Sequence, residues 1–297
     1  MKTSRNLPIL YTCLLTTILL TACADYTELE FGEPEVISSG FQFTEGPYWH
    51  PDGFLLFSDI PANSIYRWTP GSDQSEVYIE PSGNSNGITA MPDGSLVLAQ
   101  HAGRISTVTE NLELVPIAEE YNGSRLNSPN DLAVRSDGLI YFTDPSFGVS
   151  PEDQELEFNG VYRLEFDGSL SLIYDELAMP NGIAFSPDES QLYANDSQTG
   201  QIIRFDVLEN GDVENPVEFA NVGASGGTGA ADGMKTDSAG RVYTTGPGGL
   251  FIFNENGEQS YHIEFENRIT NMAWGGENKN ELYITSPSDI YRLSVNR

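Results

Sequence analysis

The chain has 297 residues, with 14 basic and 44 acidic side chains and a formal net charge of -30 at pH 7. A surface this acidic repels phosphate backbones and anionic lipid headgroups, which argues against nucleic-acid binding and against membrane docking through basic patches. Hydrophobic residues make up 39% of the chain and recur in short patterned runs, so the sequence predicts a folded core rather than a disordered polyanion.

The N-terminus has the pattern of a bacterial lipoprotein leader. Lys2 and Arg5 precede an almost uncharged apolar run from Leu7 to Leu20. This run is too short to span a bilayer, which takes about 20 residues, but it suits a secretory signal. Leu20-Thr21-Ala22-Cys23 resembles a lipobox. We therefore expect a signal peptide over residues 1–22 and lipidation of Cys23, with an ordinary signal peptide that contains a cysteine as the alternative.

The residues after the leader suggest how the protein is held in the cell envelope. Cys23 would be the only cysteine of the mature chain, because Cys13 lies inside the leader. Ala24 favours the outer membrane, facing the periplasm, by analogy with known sorting rules. Residues 23–33 are predicted to form an acidic tether and residues 34–297 the folded domain. We expect a monomer that meets the membrane only through its lipid anchor.

One pattern recurs six times through the rest of the chain. Each copy has a polar residue at the start of a short apolar run, a turn rich in Asp and Gly, and a second apolar run. In the first copy the turn is Pro51-Asp52-Gly53 and the second run is Leu55-Leu56-Phe57. The six leading residues are separated by 41, 44, 51, 51 and 39 positions: Glu45, Asn86, Asn130, Asn181, Asp232 and Asn271.

The repeat predicts the fold. Apolar runs at hairpin spacing, without a 3.6-residue period, indicate an all-β protein. Repeats of roughly 40–50 residues, each a small antiparallel sheet, are typical of β-propellers, so six copies predict six blades. The last copy reaches the C-terminus with only three strands, and Glu35-Val36-Ile37-Ser38 can supply the fourth. We expect this N-terminal strand to pair with the last blade, because that pairing closes the ring and removes two open sheet edges.

The six leading residues are expected to form a ring around the central channel, because the innermost strands of a propeller all begin at one end. All six carry carboxylate or amide oxygens. An Asn at a strand start often only satisfies backbone groups, but two carboxylates with no Lys or Arg expected nearby would repel each other without a cation. Such oxygen ligands favour Ca²⁺, with Mg²⁺, Mn²⁺ or Zn²⁺ as alternatives.

Five motifs, together with the run Gly240 to Gly249, resemble the SMP-30/gluconolactonase/LRE-like proteins, and in particular their bacterial gluconolactonase-type members. The resemblance extends from residue 34 to the C-terminus. The motifs are Thr44-Glu45-Gly46-Pro47, Leu126-Asn127-Ser128-Pro129-Asn130-Asp131, Tyr141-Phe142-Thr143-Asp144-Pro145, Pro180-Asn181-Gly182-Ile183 and Asp232-Gly233-Met234.

The resemblance implies a divalent metal, commonly Ca²⁺, at the channel mouth, and hydrolysis of sugar lactones. By position it implies that Glu45, Asn130, Asn181 and Asp232 hold the metal and that Asp232 is also catalytic. The metal would polarise the lactone carbonyl, and Asp232 would take a proton from the attacking water. The resemblance to propellers that hydrolyse phosphotriesters offers a second role for Asp232, as a nucleophile, and the two roles stay open.

Four other residues are expected to contact the substrate or support the site. Some family members have an Arg two residues before the position of Asn130, where this chain has Ser128 and an arginine nearby. His101 follows the second strand of the second blade, and Asn86 and Asn271 are the two ring amides that the resemblance does not assign to the metal. These four residues are Asn86, His101, Arg125 and Asn271.

Two other functions fit the same sequence. One is a non-catalytic periplasmic propeller that binds a sugar or a protein, with a structural metal. The other is a phosphotriesterase or arylesterase that uses the same metal site. The segment Gly223 to Ala230 lacks the following helix of a phosphate-binding loop, so we expect a flexible lip that leads to Asp232.

Overall fold

The computed structural model describes residues 28–223 and 228–296. Within these ranges the chain forms 27 strands connected by turns, with no helix. Accordingly, none of these residues belongs to a helix long and apolar enough to cross a membrane. The predicted leader over residues 1–22 and Cys23 lie outside the described residues.

Two short strands precede the repeats, and the first three repeats follow as antiparallel sheets. The short strands are β1 (Glu30–Phe31) and β2 (Glu35–Ser39). Blade one contains β3 (Thr44–His50), β4 (Phe54–Asp59), β5 (Ser64–Trp68) and β6 (Glu76–Ile79). Blade two contains β7 (Ser85–Ala90), β8 (Leu96–Gln100), β9 (Arg104–Val108) and β10 (Leu114–Ala118), and the hairpin β11 (Glu120–Tyr121) and β12 (Ser124–Arg125) follows it. Blade three contains β13 (Leu132–Val134), β14 (Ile140–Asp144), β15 (Gly160–Leu164) and β16 (Leu170–Tyr174).

The other three repeats form three more antiparallel sheets, which completes the predicted set of six blades. Blade four contains β17 (Pro180–Phe185), β18 (Gln191–Asp196), β19 (Gln201–Val207) and β20 (Val213–Asn221). Blade five contains β21 (Met234–Thr236), β22 (Val242–Gly246), β23 (Gly249–Phe253) and β24 (Gln259–Glu264). Blade six contains β25 (Asn271–Gly275), β26 (Glu281–Thr285) and β27 (Asp289–Asn296). The predicted all-β six-bladed propeller is confirmed.

The first strands of the six blades form the inner ring of the propeller. Each contacts the first strands of its two neighbours, and β25 of the last blade contacts β3 of the first. Several leading residues are followed by a glycine, because neighbouring inner strands approach each other too closely there for a side chain. A Cβ on Gly46, whose φ is +52°, would lie 1.8 Å from the Asn86 carbonyl oxygen, and one on Gly182 would lie 2.3 Å from the Asp232 carbonyl oxygen. Only glycine lets neighbouring inner strands approach so closely.

The ring is closed by the N-terminal strand. The strand β2 pairs antiparallel with β27, with Glu35 opposite Arg292 and Ser39 opposite Asp289, so the predicted closure is confirmed. The strand β1 also pairs with β27, with Phe31 opposite Val295. Leu29 is buried in the same cluster as Val295. The described end of the predicted acidic tether therefore packs on the last blade, so the packed part of the chain includes Leu29, ahead of the predicted boundary at residue 34.

The hydrophobic core lies between blades and follows the sequence repeat. The second strands of blades three to six each carry a tyrosine that is at most 1% exposed. Tyr141 of blade three packs in one cluster with Ile183 and Phe205 of blade four, and Tyr283 of blade six packs with Phe57 and Trp68 of blade one. Large aromatic side chains therefore join each sheet to the next, which holds the inner strands in place around the channel.

We expect Leu29→Ala to lower the free energy of unfolding by about 2–4 kcal/mol, because it removes a buried side chain from the last blade. The matched control is Val36→Ala in β2, where the side chain is 49% exposed and the loss should stay below about 1 kcal/mol. Urea unfolding monitored by tryptophan fluorescence measures both. A loss below about 1 kcal/mol for Leu29→Ala as well would show that packing of Leu29 on the last blade does not contribute to stability.

Candidate active site

A cavity of about 310 Å³ lies at the end of the channel where the inner strands begin. This volume is at the small end of the roughly 300–1,000 Å³ that small-molecule sites occupy. One part of the wall is polar and contains five of the six predicted ring residues, and another part is apolar. The lining residues are Phe43, Glu45, Ile60, Pro61, Asn86, His101, Asn130, Phe147, Asn181, Asp232 and Arg268.

Three buried aspartates hold the loops that lead into the inner strands of blades one, three and four. Each ends the second strand of its blade and accepts backbone N–H groups from the loop. Asp59 accepts from Gln42 and Phe43 at 3.0 and 3.1 Å. Asp144 accepts from Asn127 and Ser128 at 2.9 and 2.7 Å, and Asp196 accepts from Ala178 and Met179 at 2.6 and 3.4 Å. The ring residue follows two positions after each clamped loop: Glu45, Asn130 and Asn181.

The two ring carboxylates, Glu45 and Asp232, are buried, and burial opposes their ionisation. Burial raises the pKa of Glu45 well above its ordinary value, and the negative charge of Asp232 raises it further. Two hydrogen bonds act in the opposite direction, because Glu45 Oε2 accepts from the Gly46 N–H at 2.8 Å and from Asn271 Nδ2 at 3.0 Å. Burial also raises the pKa of Asp232, and Arg268 partly offsets that effect. A bound cation would favour ionisation of both.

An arginine reaches the carboxylate pair, which the sequence did not predict. Arg268 Nη2 donates to Asp232 Oδ2 at 2.6 Å, and its guanidinium lies over the Phe43 ring, 5.4 Å from the centroid. The expectation that no Lys or Arg neutralises the two carboxylates is therefore wrong. Arg268 lies in the loop before β25, three residues ahead of Asn271, so it does not occupy a position of the repeat.

Two amide side chains of the ring, those of Asn86 and Asn181, are held through their nitrogen atoms. Asn86 Nδ2 lies 3.0 Å from His101 Nε2, and Asn181 Nδ2 donates to Ser197 Oγ at 2.9 Å. Burial lowers the pKa of His101 to about 4, so its ring is neutral at pH 7 and can accept a hydrogen bond. The Oδ1 atoms of Asn86 and Asn181 are buried and have no hydrogen-bond partner among the described residues. These oxygens are available to a ligand.

Asn271 lies behind the ring rather than on the cavity wall. Its Nδ2 donates to Glu45, and its Oδ1 accepts the Met272 N–H at 2.8 Å. Both ends of the amide are therefore used inside the protein. The structure places Asn271 as a support for the Glu45 carboxylate, and its predicted contact with substrate does not follow from this position.

Arg125 does not reach the cavity. It belongs to the short strand β12, and its Nη2 donates to the Asp153 carbonyl at 3.2 Å while its side chain lies beside Glu155. Ser128, which stands where some relatives have an arginine, is fully buried and does not line the cavity. The arginine of this cavity comes from blade six. The predicted lip, residues 223–230, lies partly outside the described residues.

The cavity wall that the repeat did not predict comes from loops at the same end of the propeller. Phe43 and Arg268 precede an inner strand, whereas Ile60 and Pro61 follow the second strand of blade one. Phe147 lies in the corresponding loop of blade three. Because all such loops open on one end of a propeller, examining three residues on either side of each strand would have found them.

The ring chemistry fits a hard divalent cation. Two buried carboxylates repel each other, and two buried amide oxygens have no hydrogen-bond partner in the part of the chain that the structure describes. Oxygen ligands of this kind suit Ca²⁺. Within residues 28–223 and 228–296, no cluster of three or more His, Cys, Asp or Glu could hold a metal, so any cation here would depend on amide oxygens as well as on Glu45 and Asp232.

Comparison with known proteins assigns this propeller and its cavity to a family. A gluconolactonase of Zymomonas mobilis is 38% identical over 289 residues, covering 87% of this chain and 80% of its own. A pentonolactonase of Haloferax volcanii is 26% identical and covers 84% of each chain. The solved structure of a gluconolactonase from Xanthomonas campestris, 29% identical, superposes with a TM-score of 0.79 over 89% of both chains.

Fold and site define a six-bladed propeller with a carboxylate- and amide-lined cavity at one end of its channel. The SMP-30/gluconolactonase/LRE-like region matches residues 43–288, a span that includes all the cavity residues. The chain belongs to the SMP-30/gluconolactonase/LRE-like family.

We expect Glu45→Gln to stabilise the cation-free protein at pH 8, because the raised pKa makes ionisation of Glu45 unfavourable in the fold. Stability from a carboxyl group with a raised pKa is complete below the unfolded pKa and is lost as the pH rises through the folded pKa. The gain in the free energy of unfolding should therefore be present at pH 8 and should shrink at pH 5.

Thermal unfolding in EDTA at pH 5 and pH 8 measures this effect. The control is Glu110→Gln at an exposed position, which should change stability at neither pH. A Glu45→Gln variant that is less stable than the wild type at pH 8 would contradict the assigned electrostatics.

Proposed function

We propose that the protein is a hydrolase that opens the ester ring of a sugar lactone. The observation that carries the proposal is the Asp232 carboxylate, which lines a small cavity beside Glu45 and two amide oxygens that have no partner within residues 28–223 and 228–296. The relatives named gluconolactonase and pentonolactonase support this class of substrate. A cavity of this volume suits one small ring rather than a polymer.

We further propose that Glu45, Asn130, Asn181 and Asp232 hold a divalent cation, with Ca²⁺ as the first choice. When bound, such a cation supplies a Lewis acid that polarises the lactone carbonyl. The four residues come from blades one, three, four and five, so the site exists only when the ring is assembled. Glu45 keeps its position through the hydrogen bond from Asn271.

Asp232 is proposed as the general base. It takes a proton from water as the water oxygen attacks the carbonyl carbon of the lactone, and it returns the proton to the ring oxygen when the ring C–O bond breaks. The second proton of the water stays on the new carboxyl group, which releases it to solvent at neutral pH, so the products are a carboxylate and a hydroxyl group on one open chain. Arg268 holds one oxygen of Asp232 and favours its ionised form, so the other oxygen can accept the proton.

The apolar part of the cavity wall supports a second candidate activity, hydrolysis of an aryl ester. Phe43, Ile60, Pro61 and Phe147 lie close to the polar ring residues. A substrate with an aromatic leaving group could place its ring against these side chains while its carbonyl meets Asp232. The same base and the same cation would serve both substrates.

The cellular setting stays a prediction from the sequence. We propose that Cys23 carries a lipid and that the propeller faces the periplasm as a monomer, joined to the outer membrane only through that anchor. These residues lie outside the described ranges, so the leader sequence alone supports the proposal.

Hydrolysis of a substrate panel tests the proposed function. The panel contains glucono-1,5-lactone, phenyl acetate and a phosphotriester, each with EDTA and with added Ca²⁺, against a no-enzyme control because gluconolactone opens spontaneously. We expect the lactone to give the highest kcat/KM, loss of activity in EDTA and recovery with Ca²⁺. Asp232→Asn should lower kcat by about 10²–10⁴-fold, the usual contribution of a general base.

Each result decides between the candidates. A higher kcat/KM for phenyl acetate would favour the arylesterase. No turnover of any substrate under saturating Ca²⁺ would favour a binding protein instead of an enzyme. Near-normal turnover by Asp232→Asn would exclude Asp232 as base or nucleophile.

We expect Arg268→Gln to move the acid limb of the pH–kcat/KM profile to higher pH. The guanidinium lowers the pKa of Asp232, and a base must be ionised to act, so removing Arg268 raises the pH that activity requires. Arg268→Lys should shift the limb less, since it retains a positive charge. Arg125→Gln is the control because Arg125 lies outside the cavity, and a profile that moves equally in both variants would refute the role of Arg268.

A further inference from the structure

A short chain of hydrogen bonds connects the cavity to the backbone of blade five. The Ser197 hydroxyl donates to the Ala231 carbonyl at 2.6 Å and accepts a hydrogen bond from Asn181 Nδ2 at 2.9 Å. Ser197 is buried and follows the last residue of β18. The other terminal atom of the amide, Asn181 Oδ1, is buried without a partner among the described residues.

This chain has a fixed direction. An asparagine amide can turn about its last bond and exchange its oxygen and nitrogen with almost no change of shape. A backbone carbonyl only accepts, so the Ser197 hydroxyl proton is used on Ala231, and the Ser197 oxygen can then only accept from Asn181. The amide must therefore present its nitrogen to Ser197. A turned amide would bring two oxygens together and leave Nδ2 at the site.

We propose that Ser197 is a positioning residue: it holds the Asn181 amide so that Oδ1 is presented to a divalent cation in the cavity. This inference rests on the proposed cation site and adds a residue to it. Ser197 does not line the cavity and would not touch the cation. Because its hydroxyl proton is donated to the Ala231 carbonyl, its oxygen can only accept, and this fixes which end of the Asn181 amide faces it.

The repeat places comparable residues in two other blades. His101 follows the last residue of β8 and lies 3.0 Å from Asn86 Nδ2, so blade two uses a histidine at this position. The direction of the hydrogen bond between Asn86 and His101 depends on the tautomer of the histidine ring. Of blades two and four, only in blade four do the partners themselves determine the direction of the bond. Ser286 follows the last residue of β26, and its hydroxyl is buried with no partner among the described residues. Ser286 is therefore a matched serine without an amide to hold.

A double-mutant cycle on Ca²⁺ affinity tests the proposal. Isothermal titration of the EDTA-treated protein with Ca²⁺ gives Kd for the wild type, Ser197→Ala, Asn181→Asp and the double variant. We expect Ser197→Ala to weaken Ca²⁺ binding by about 10–100-fold, as removal of a residue that orients a ligand usually does. In the Asn181→Asp background the same change should cause no loss, because both terminal atoms of an aspartate are oxygens and no orientation is needed.

Two further variants separate positioning from a general structural effect. Ser197→Thr retains the hydroxyl and should keep the wild-type Kd. Ser286→Ala removes a buried hydroxyl at the matched position of blade six and should leave the Kd unchanged. Melting temperatures of all variants, measured in EDTA, show whether a change in Kd reflects partial unfolding.

The outcomes distinguish this inference from the proposed function. If the wild type binds Ca²⁺ and Ser197→Ala binds it equally well, the positioning role is wrong and the cation site remains. If Ser197→Ala weakens binding equally in the wild-type and Asn181→Asp backgrounds, Ser197 acts through the fold, and the inference is again overturned. If the wild type binds no Ca²⁺, both the inference and the proposed cation site fail.

Discussion

The pairing of β2 with β27 is the constraint on which the site depends. Each inner strand contacts the inner strands of its two neighbouring blades, and the first and last blades meet at one seam, where β25 contacts β3. Site residues face each other across that seam: Asn271 donates to Glu45, and the Thr270 hydroxyl donates to the Thr44 carbonyl at 2.7 Å. Both ends of the folded domain must be in place before Glu45 acquires its support. The cavity is thus a product of ring closure rather than of any single blade.

Closing the ring brings two acidic side chains, Glu45 and Asp232, together in a buried site. Glu45 and Asp232 are each at most 3% exposed, and burial opposes their ionisation. The Arg268 guanidinium stabilises the Asp232 carboxylate. The Glu45 carboxylate accepts hydrogen bonds from neutral donors, the Gly46 N–H and the Asn271 amide. The arrangement is therefore asymmetric. Asp232 has a permanent positive partner and suits a group that must be ionised to act, whereas Glu45 depends more on an added cation.

The sequence predicted the parts of the molecule that repeat. The spacing of the leading residues gave the six blades, and the three-stranded last copy gave the closure. Features that do not repeat were missed. Arg268 lies in a loop, Arg125 is close to Asn130 in sequence but turns toward Asp153, and β1 pairs only two residues, too few for an alternating pattern. The direction of the Asn181 amide depends on a carbonyl fifty residues away in the chain, which no local pattern encodes.

The charge of the cavity and the charge of the whole chain have opposite consequences for the proposed reaction. Glu45, Asp232 and Arg268 sum to -1, so a divalent cation would make the cavity +1 inside a chain of -30. A neutral lactone enters such a site without an electrostatic penalty, but its carboxylate product is attracted to the cavity. Screening limits surface charges to about 8 Å at physiological ionic strength. Release of the product therefore works against this local attraction, and the bulk of the negative charge serves solubility instead.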